Sequence, residues 1–554
     1  MVEKEQMNNY KVFIPCAGTG ARLGDLTTHL NKTLLSISNK PIISHIVDKF
    51  DDEVEIVIAL GYKGEYVKQF LNLAYPNRNF TFVNIDKYEG EGTGLGYTLN
   101  SCREYLQSEF IFISNDTVII DELPSLQKMK FNNWIGYSNI KGGDDYRSLQ
   151  ISDGKVKKLY EKNESPNTPS YIGVCGIKDY DSFWKHIDDN SILSNISLQD
   201  SIDSGGIEPS SIPILTGESY AIQKMIEDDL LFDAIKFDWY DAGNESILNY
   251  AKKKLKEQKE PNILEKPNEA IWFVEDRVIK FCIDTDFIKN RAIRSESLKP
   301  YVPKVLDVTE NMYSYKKVNG TIFSEAVTTE NFKFLLDWLE TFHEPIKVNK
   351  KEFKKSCLGF YKDKTYQRVD EYFERFGNSD SDKEVINGTK VPSVKSLLDR
   401  VDWNWIADGT PVRFHGDLHF ENILVSEGNN HNTLPITLLD WRQDFCGRLD
   451  YGDVYYDLSK LMHGLIVSHD IINDDLYSFD RSMNEIKYDF LRKNINIDCE
   501  DIFVEYISEW GYDVKKVKVM TALIFLNIAM FHHYPYCHLL FYLGKNLLNK
   551  SLEN

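Results

Sequence analysis

Lys11-Val-Phe-Ile-Pro-Cys-Ala-Gly-Thr-Gly-Ala-Arg-Leu23 runs from an apolar stretch straight into glycines. Lys11 to Pro15 reads as a short buried strand, and Ala17, Gly18, Thr19 and Gly20 as the turn that follows it. A glycine-rich turn at a strand end lets backbone amides approach a phosphate with no side chain in the way. Arg22 stands just past the glycines and Lys32 follows in Leu30-Asn-Lys-Thr-Leu-Leu35; two fixed cations beside such a loop suit a nucleoside triphosphate. Further on, Glu55–Gly61 and Phe80–Asn84 read as strands with a helical Glu65–Leu73 between them. That alternation predicts a doubly wound parallel sheet. Phe110-Ile-Phe-Ile-Ser-Asn-Asp116 is a strand ending in a carboxylate, at the kind of edge where ligands gather in open α/β sheets.

The arrangement resembles the nucleotidyltransferases that make nucleotide sugars and CDP-alcohols, whose motif is Gly-x-Gly-x-Arg followed by Pro-Lys. Here Ala21 replaces the usual Ser or Thr and Asn31 replaces the proline, with Arg22 and Lys32 still in register. The resemblance implies a phosphate loop at Ala17–Gly20 and contacts to the base from Gly92 and Thr93. It also implies a magnesium ion held by Asp116 together with Asp241 of Trp239-Tyr-Asp-Ala-Gly243, and an acceptor pocket lined by Glu161, Lys162 and Gly173. The implied reaction is in-line attack of an acceptor phosphate on the α-phosphate of the triphosphate. Arg22, Lys32 and the metal offset the developing charge.

The second half opens with Glu269–Cys282, which reads as a hairpin turning at Glu275-Asp276 with Lys280 on the returning strand. A helix carrying Glu296 and a hinge segment Tyr313–Gly320, which includes Lys317, follow. Phe414-His-Gly-Asp-Leu-His-Phe-Glu-Asn-Ile-Leu-Val425 and Leu438-Leu-Asp-Trp441 then set Asp417, Asn422 and Asp440 on the flanks of short apolar runs. Phosphoryl transfer needs such a set: an acid residue to orient the attacking hydroxyl and oxygen ligands to hold magnesium on the phosphates. The segment resembles the aminoglycoside phosphotransferase and choline kinase family. The resemblance implies Asp417 as the catalytic acid residue, Asn422 and Asp440 as magnesium ligands, a Lys280–Glu296 pair on the nucleotide phosphates and Asp457 as support for the catalytic loop. The segment before Lys280 has no glycine, a departure from kinases that cover the phosphates with a glycine-rich loop. His415 and His419 have no His or Cys partner at ligand spacing, so structural roles are expected for both.

The chain has 554 residues, more than one core accommodates, so at least two domains are expected. The boundaries read as 1–260 for an α/β, Rossmann-like doubly wound domain, 261–267 for a linker, and 268–554 for an α+β protein-kinase-like domain with lobes meeting near 320. With 65 basic against 85 acidic residues the net charge is −20, which disfavours nucleic acid and anionic membranes and favours small-molecule partners. Eight scattered cysteines without a Cys-x-x-Cys pair fit free thiols in a reducing cytoplasm. The charged N-terminus offers no secretory core, and the apolar run Val519–Phe531 is too short to span a membrane. A homo-oligomer is compatible with all of this. The two resemblances together imply an ATP-dependent kinase whose phosphorylated product is activated by a second triphosphate, CTP or UTP, with Mg2+ at both sites. A sugar phosphorylated at its anomeric hydroxyl is the preferred acceptor, and choline, ethanolamine or another small alcohol the alternative.

Overall fold

The computed structural model describes residues 10–90, 93–123, 132–141, 145–165, 167–188, 217–255, 268–377, 380–426 and 435–553. The chain divides into two compact units, Met1–Asp284 with Asp307–Ser314 and Thr285–Leu306 with Tyr315–Asn554. The linker expected at 261–267 lies outside the described residues.

In the first unit, strands β1 (Lys11–Cys16), β2 (Glu55–Leu60), β3 (Phe80–Asn84) and β4 (Phe110–Ile113) form the parallel half of a nine-stranded sheet. Helix α1 (Gly64–Ala74) connects β2 to β3. Successive strand residues point to opposite faces. Accordingly Val12, Ile14, Ile56 and Ile58 enter one apolar core while Phe13, Val57 and Ala59 enter another. Burial on both faces is why these strands read as continuous hydrophobic runs.

The remaining strands are a ribbon strand β5 (Thr117–Ile119), then β6 (Asn133–Lys141), β7 (Ser148–Ser152), β8 (Lys155–Tyr160), β9 (Pro169–Ile177), β10 (Phe232–Lys236) and β11 (Trp239–Asp241). The sheet order is β3-β2-β1-β4-β9-β6-β10-β8-β7, and β9 runs antiparallel to both β4 and β6. The parallel half therefore continues into a mixed sheet. Outside it, β5 and β11 pair antiparallel with Thr117 opposite Asp241, which brings the neighbourhoods of Asp116 and Asp241 together.

The hairpin β12 (Glu269–Val274) and β13 (Arg277–Cys282) turns at Glu275, which takes a left-handed φ of 51°. It belongs to the first unit, so the compact units part after Asp284 and not at 261–267. Its side chains give the reason. Trp272 is fully buried, meets Phe70 of α1 edge-on at 5.1 Å, and donates its indole N–H to the Leu34 carbonyl at 3.0 Å. Phe281 packs on Tyr66 at 4.9 Å, and Arg277 reaches the Leu73 carbonyl.

The second unit contains α2 (Thr285–Ser297) and a small sheet in the order β14 (Thr321–Ile322), β15 (Ile423–Val425), β16 (Ile436–Leu438). Its helices include α3 (Lys350–Leu358), a π-turn (Gly359–Asp363), α4 (Lys364–Phe376), α5 (Val454–Ile466), α6 (Val514–Ala529) and α7 (Tyr536–Glu553). Helix α5 is buried on every side from Val454 to Leu465. Three ionisable residues, Asp457, Lys460 and His463, are buried with it. Charged groups stay inside only when paired, as Asp457 and Lys460 are, so α5 points to the site. Most of the apolar run Val519–Phe531 forms α6, a core helix; among the described residues no helix is long and apolar enough to cross a membrane.

Candidate active sites

The first site lies at the carboxyl ends of β1 and β4. Gly20 has φ 70°, and a Cβ there would sit 3.0 Å from Thr27 Cγ2 and 3.1 Å from Lys32 Cβ, so the loop closes on Lys32 only with glycine. Asn31 is fully buried and uses its whole amide. Its Nδ2 donates to the carbonyls of Cys16 (3.0 Å) and Tyr62 (2.6 Å), and its Oδ1 accepts from the Thr33 amide (3.0 Å) and hydroxyl (2.8 Å). It thereby caps the one-turn helix Lys32–Leu34. The Lys32 ammonium is thus delivered to Asp116 Oδ2 at 3.0 Å, with Arg22 Nη2 3.9 Å from the same oxygen.

Asp241 faces this group. It accepts the Gly243 amide at 2.7 Å and the Tyr146 hydroxyl at 2.9 Å. A Cβ on Gly243 would lie 2.9 Å from Asp241 Oδ1, 3.2 Å from Asp116 Oδ2 and 3.2 Å from Arg22 Nη2, so the two carboxylates and the arginine converge on one small gap. Burial raises the Asp116 carboxyl, but Lys32, Ser114 and Arg22 outweigh it and bring it down to about 2. Asp241 is pushed up, by burial first and then by the charge of Asp116. Two acidic oxygens held together at mutual cost around a gap fit a divalent cation.

Gly173 sits beneath this group. Its φ is 72°, its carbonyl accepts the Ser114 amide at 2.7 Å, and a Cβ would stand 2.8 Å from that of Ser114. The residue shapes the turn that carries Asp116. Glu161 and Lys162 are exposed, and Arg147 Nε meets both Glu161 carboxylate oxygens at 3.0 Å. Thr93 bonds back to the Gly90 carbonyl at 2.7 Å, and Gly92 lies outside the described residues. Tyr146 and Arg147 escaped the sequence reading. Their one signal was an aromatic–basic pair just before β7.

In the second unit Asp457 anchors the loop that carries Asp417. Its fully buried carboxylate accepts the amides of His415 (2.7 Å) and Gly416 (2.6 Å) and lies 3.2 Å from His343 Nε2, the supporting role expected of it. Lys460, one turn further along α5, places its ammonium 2.7 Å from Asp417 Oδ1. Asn422 Nδ2 donates to the Asp417 carbonyl at 2.9 Å and faces Oδ2 at 3.4 Å. Burial would raise the Asp417 carboxyl, but Lys460 and His419 hold it well below the usual range. It is therefore a permanent hydrogen-bond acceptor. The Leu439 amide bonds the Asn422 carbonyl at 2.8 Å, which puts Asp440 beside Asn422.

Helix α2 reaches the loop through arginines. Arg291 pairs with Asp440, and Arg294 caps the carbonyls of Phe414 (2.6 Å), Leu449 (3.0 Å) and Arg442. Glu296, expected to join Lys280, carries a pair with Lys299 and is exposed. Lys280 stands opposite Ile271 on the hairpin, and Lys317 is exposed.

His419 is not alone, contrary to the expectation from spacing. Ligand atoms of His419, Glu421 and His469 lie within 4.8 Å of one another, because the chain returns after α5. Nδ1 of His419 bonds Glu421 at 2.9 Å. Burial would lower this imidazole, but Asp417 and Glu421 raise it to about 9, which favours its charged form.

Two further cations gather on the Phe360 ring. Lys364 Nζ and Arg442 Cζ lie 4.5 and 4.9 Å from the centroid of the same Phe360 ring, and Arg442 Cζ lies 5.9 Å from that of Tyr456. Arg368 adds a third charge near Lys364, paired with Glu371.

Comparison with known proteins gives matching results for the two halves. Residues 363–474 match the family model described as the phosphotransferase enzyme family. The N-terminal region is 29% identical over 170 residues to the bifunctional protein GlmU of Methanocaldococcus jannaschii, covering 30% of this chain and 39% of that one. It is 23% identical over 245 residues to the low-salt glycan biosynthesis nucleotidyltransferase Agl11 of Haloferax volcanii, covering 42% of this chain and 62% of that one. Among solved structures, the CTP:phosphocholine cytidylyltransferase of Streptococcus pneumoniae is 18% identical with a TM-score of 0.35, covering 45% of this chain and all of that one. The chain spans 34 to 51% of the length of the first three curated relatives it matches. The chain thus joins an N-terminal region similar to nucleotidyltransferases to a C-terminal segment, residues 363–474, that matches the phosphotransferase enzyme family.

Proposed function

We propose that the second site phosphorylates a small hydroxyl compound with ATP and that the first site transfers a nucleotide from CTP or UTP onto that product, releasing pyrophosphate. A sugar phosphorylated at its anomeric hydroxyl, giving a nucleotide sugar for surface glycans, is the reading preferred. The observation that carries it is the convergence of Arg22, Lys32, Asp116 and Asp241 in a chain that also holds Asp417 against Lys460 and Asn422.

At the first site Arg22 and Lys32 would bind the triphosphate and offset charge on the leaving pyrophosphate. The acceptor phosphate is already anionic and needs no base. Asp116 and Asp241 would hold Mg2+, which supplies electrostatic stabilisation of the phosphates when bound. At the second site Asp417 would accept the hydrogen bond of the attacking hydroxyl and orient it, with Asn422 and Asp440 as the magnesium ligands. Gly92, Thr93, Lys280, Glu296 and Lys317 remain proposed nucleotide contacts, and Glu161, Lys162 and Gly173 proposed acceptor contacts. The names of the N-terminal relatives, one of them a glycan biosynthesis nucleotidyltransferase, lean towards a sugar. Choline or ethanolamine is disfavoured because a cationic acceptor would meet the Lys460 ammonium, which lies 2.7 Å from Asp417 Oδ1.

Phosphorus NMR of the purified chain with nucleoside triphosphates and a panel of sugars and alcohols tests the scheme. Asp417→Ala is expected to block the first product and still convert a supplied phosphate, whereas Asp116→Ala is expected to accumulate the phosphorylated intermediate. Loss of both steps in each variant would refute the two-site scheme.

A further inference from the structure

Lys364 and Arg442 stand out from the other cations of the second unit. Arg291, Arg368, Arg413 and Arg448 each meet a carboxylate, and Arg294 caps three carbonyls. Among the described residues, neither Lys364 nor Arg442 has a carboxylate within 4.0 Å. Arg442, Arg368 and Lys460 all act on Lys364 with charge of its own sign, and Asp444 acts against them. Holding like charges together in half-buried positions costs stability. A fold retains such a cluster where a ligand of opposite charge repays the cost.

The cluster is built into the scaffold. The π-turn Gly359–Asp363 interrupts α3 and α4, and such turns often mark functional positions. Phe360, buried on that turn, is fixed by Phe445 at 4.4 Å and edge-on by Tyr456 at 4.8 Å, so the ring that carries both cations has one position. The Arg442 amide donates to the His415 carbonyl at 3.0 Å, and a Cβ on Gly416 would stand 2.5 Å from that of Arg442. Arg442 therefore rises next to the residue that precedes Asp417. Lys460 lies one turn beyond Tyr456 on α5 and takes Asp417 Oδ1, while Asn422 faces Oδ2. Lys460 and Asn422 thus take different oxygens of Asp417.

We propose that the hydroxyl compound taken by this site carries an anionic group of its own, a carboxylate or a phosphate, bound by Lys364 and Arg442, while its hydroxyl meets Asp417. The inference rests on the phosphotransferase reading of the site and narrows its substrate class to acidic sugars, hydroxy acids or sugar phosphates.

ADP release by the full chain with MgATP, measured against neutral hexoses, uronic acids, glycerate, hexose phosphates, ethanolamine and choline, tests it. The expected result is turnover confined to one anionic group, with kcat/KM on the order of 100-fold above any neutral or cationic compound. The carboxylate and phosphate arms then tell which anion is held. Lys364→Met and Arg442→Gln are expected to raise KM for the acceptor by about 10- to 100-fold, the loss of one charged hydrogen bond, with KM for ATP unchanged. Lys364→Arg is expected to recover most of the loss, and thermal unfolding compares the folding of all three variants. A neutral sugar or amino alcohol used as well as the acids overturns the proposal, as does a rise in KM for ATP in place of KM for the acceptor. Absence of ADP release with every compound instead overturns the phosphotransferase reading and this proposal with it.

Discussion

Replacing Asn31 by alanine tests how the first site is held. The side chain is fully buried and makes four hydrogen bonds, the full capacity of an amide. Each contributes about 1 kcal/mol net, and each buried partner left unsatisfied costs about 1–3 kcal/mol. The Thr33 hydroxyl can rotate to a new partner, whereas the Cys16 and Tyr62 carbonyls and the Thr33 amide cannot. Asn31→Ala should therefore destabilise the first unit by about 3–5 kcal/mol. The freed turn should also let Lys32 leave Asp116, lowering pyrophosphate release by about 10- to 100-fold in protein that remains folded. Asn31→Pro separates the two effects. Asn31 has φ −68° and ψ 144°, which proline adopts without strain, so the turn should persist while the side-chain bonds are lost. Urea unfolding gives the stability, and a coupled pyrophosphate assay gives the rate. A loss below 1 kcal/mol in Asn31→Ala with an unchanged rate would show that the amide network does not hold Lys32.

The other expectations concern three further anchors. His419, raised to about 9, contributes stability that is complete below its unfolded value near 6.5 and is lost as pH rises through 9. The stability difference between the native chain and His419→Gln should accordingly shrink between pH 6 and 9.5, and a constant difference in urea unfolding would refute a charged His419. Asp457→Asn keeps one acceptor for two amides and should cost about 3 kcal/mol. ADP release should fall with it, while pyrophosphate release from a supplied phosphate is unchanged. Trp272→Ala should cost the first unit about 3–5 kcal/mol by cavity formation and slow pyrophosphate release, both read in the same assays.

The legible parts of the chain are those whose chemistry is local. Strand-to-turn junctions place Gly20, Arg22 and Asp116 within a few residues of an apolar run, and Phe414–Val425 carries Asp417 and Asn422 on one loop. The partners that make these residues work come from far along the chain. Tyr146 reaches Asp241 across 95 positions, and Arg291 reaches Asp440 across 149. No periodicity connects such pairs, since tertiary packing alone brings them together. Packing was equally invisible: the half-buried Lys364 reads as one more lysine on a charged helix until the π-turn sets it on Phe360.

The domain boundary shows why motif order is a poor guide to packing. Glu269–Cys282 follows the expected linker and carries the lysine that a kinase fold would use, so the pattern assigns it to the second half. Its alternate residues decide otherwise. Trp272, Val274, Ile279 and Phe281 are buried in the core of the first unit, and the Trp272 indole holds the carbonyl of Leu34. Leu34 ends the turn that begins with Lys32. The hairpin therefore holds the last residue of the turn that Asn31 caps, through a bond that spans 238 positions of the chain. An Asn31→Ala and Trp272→Ala pair should then be non-additive, because both act on one three-residue turn. Strict additivity in the double variant would separate the hairpin from the site and return it to a purely structural role.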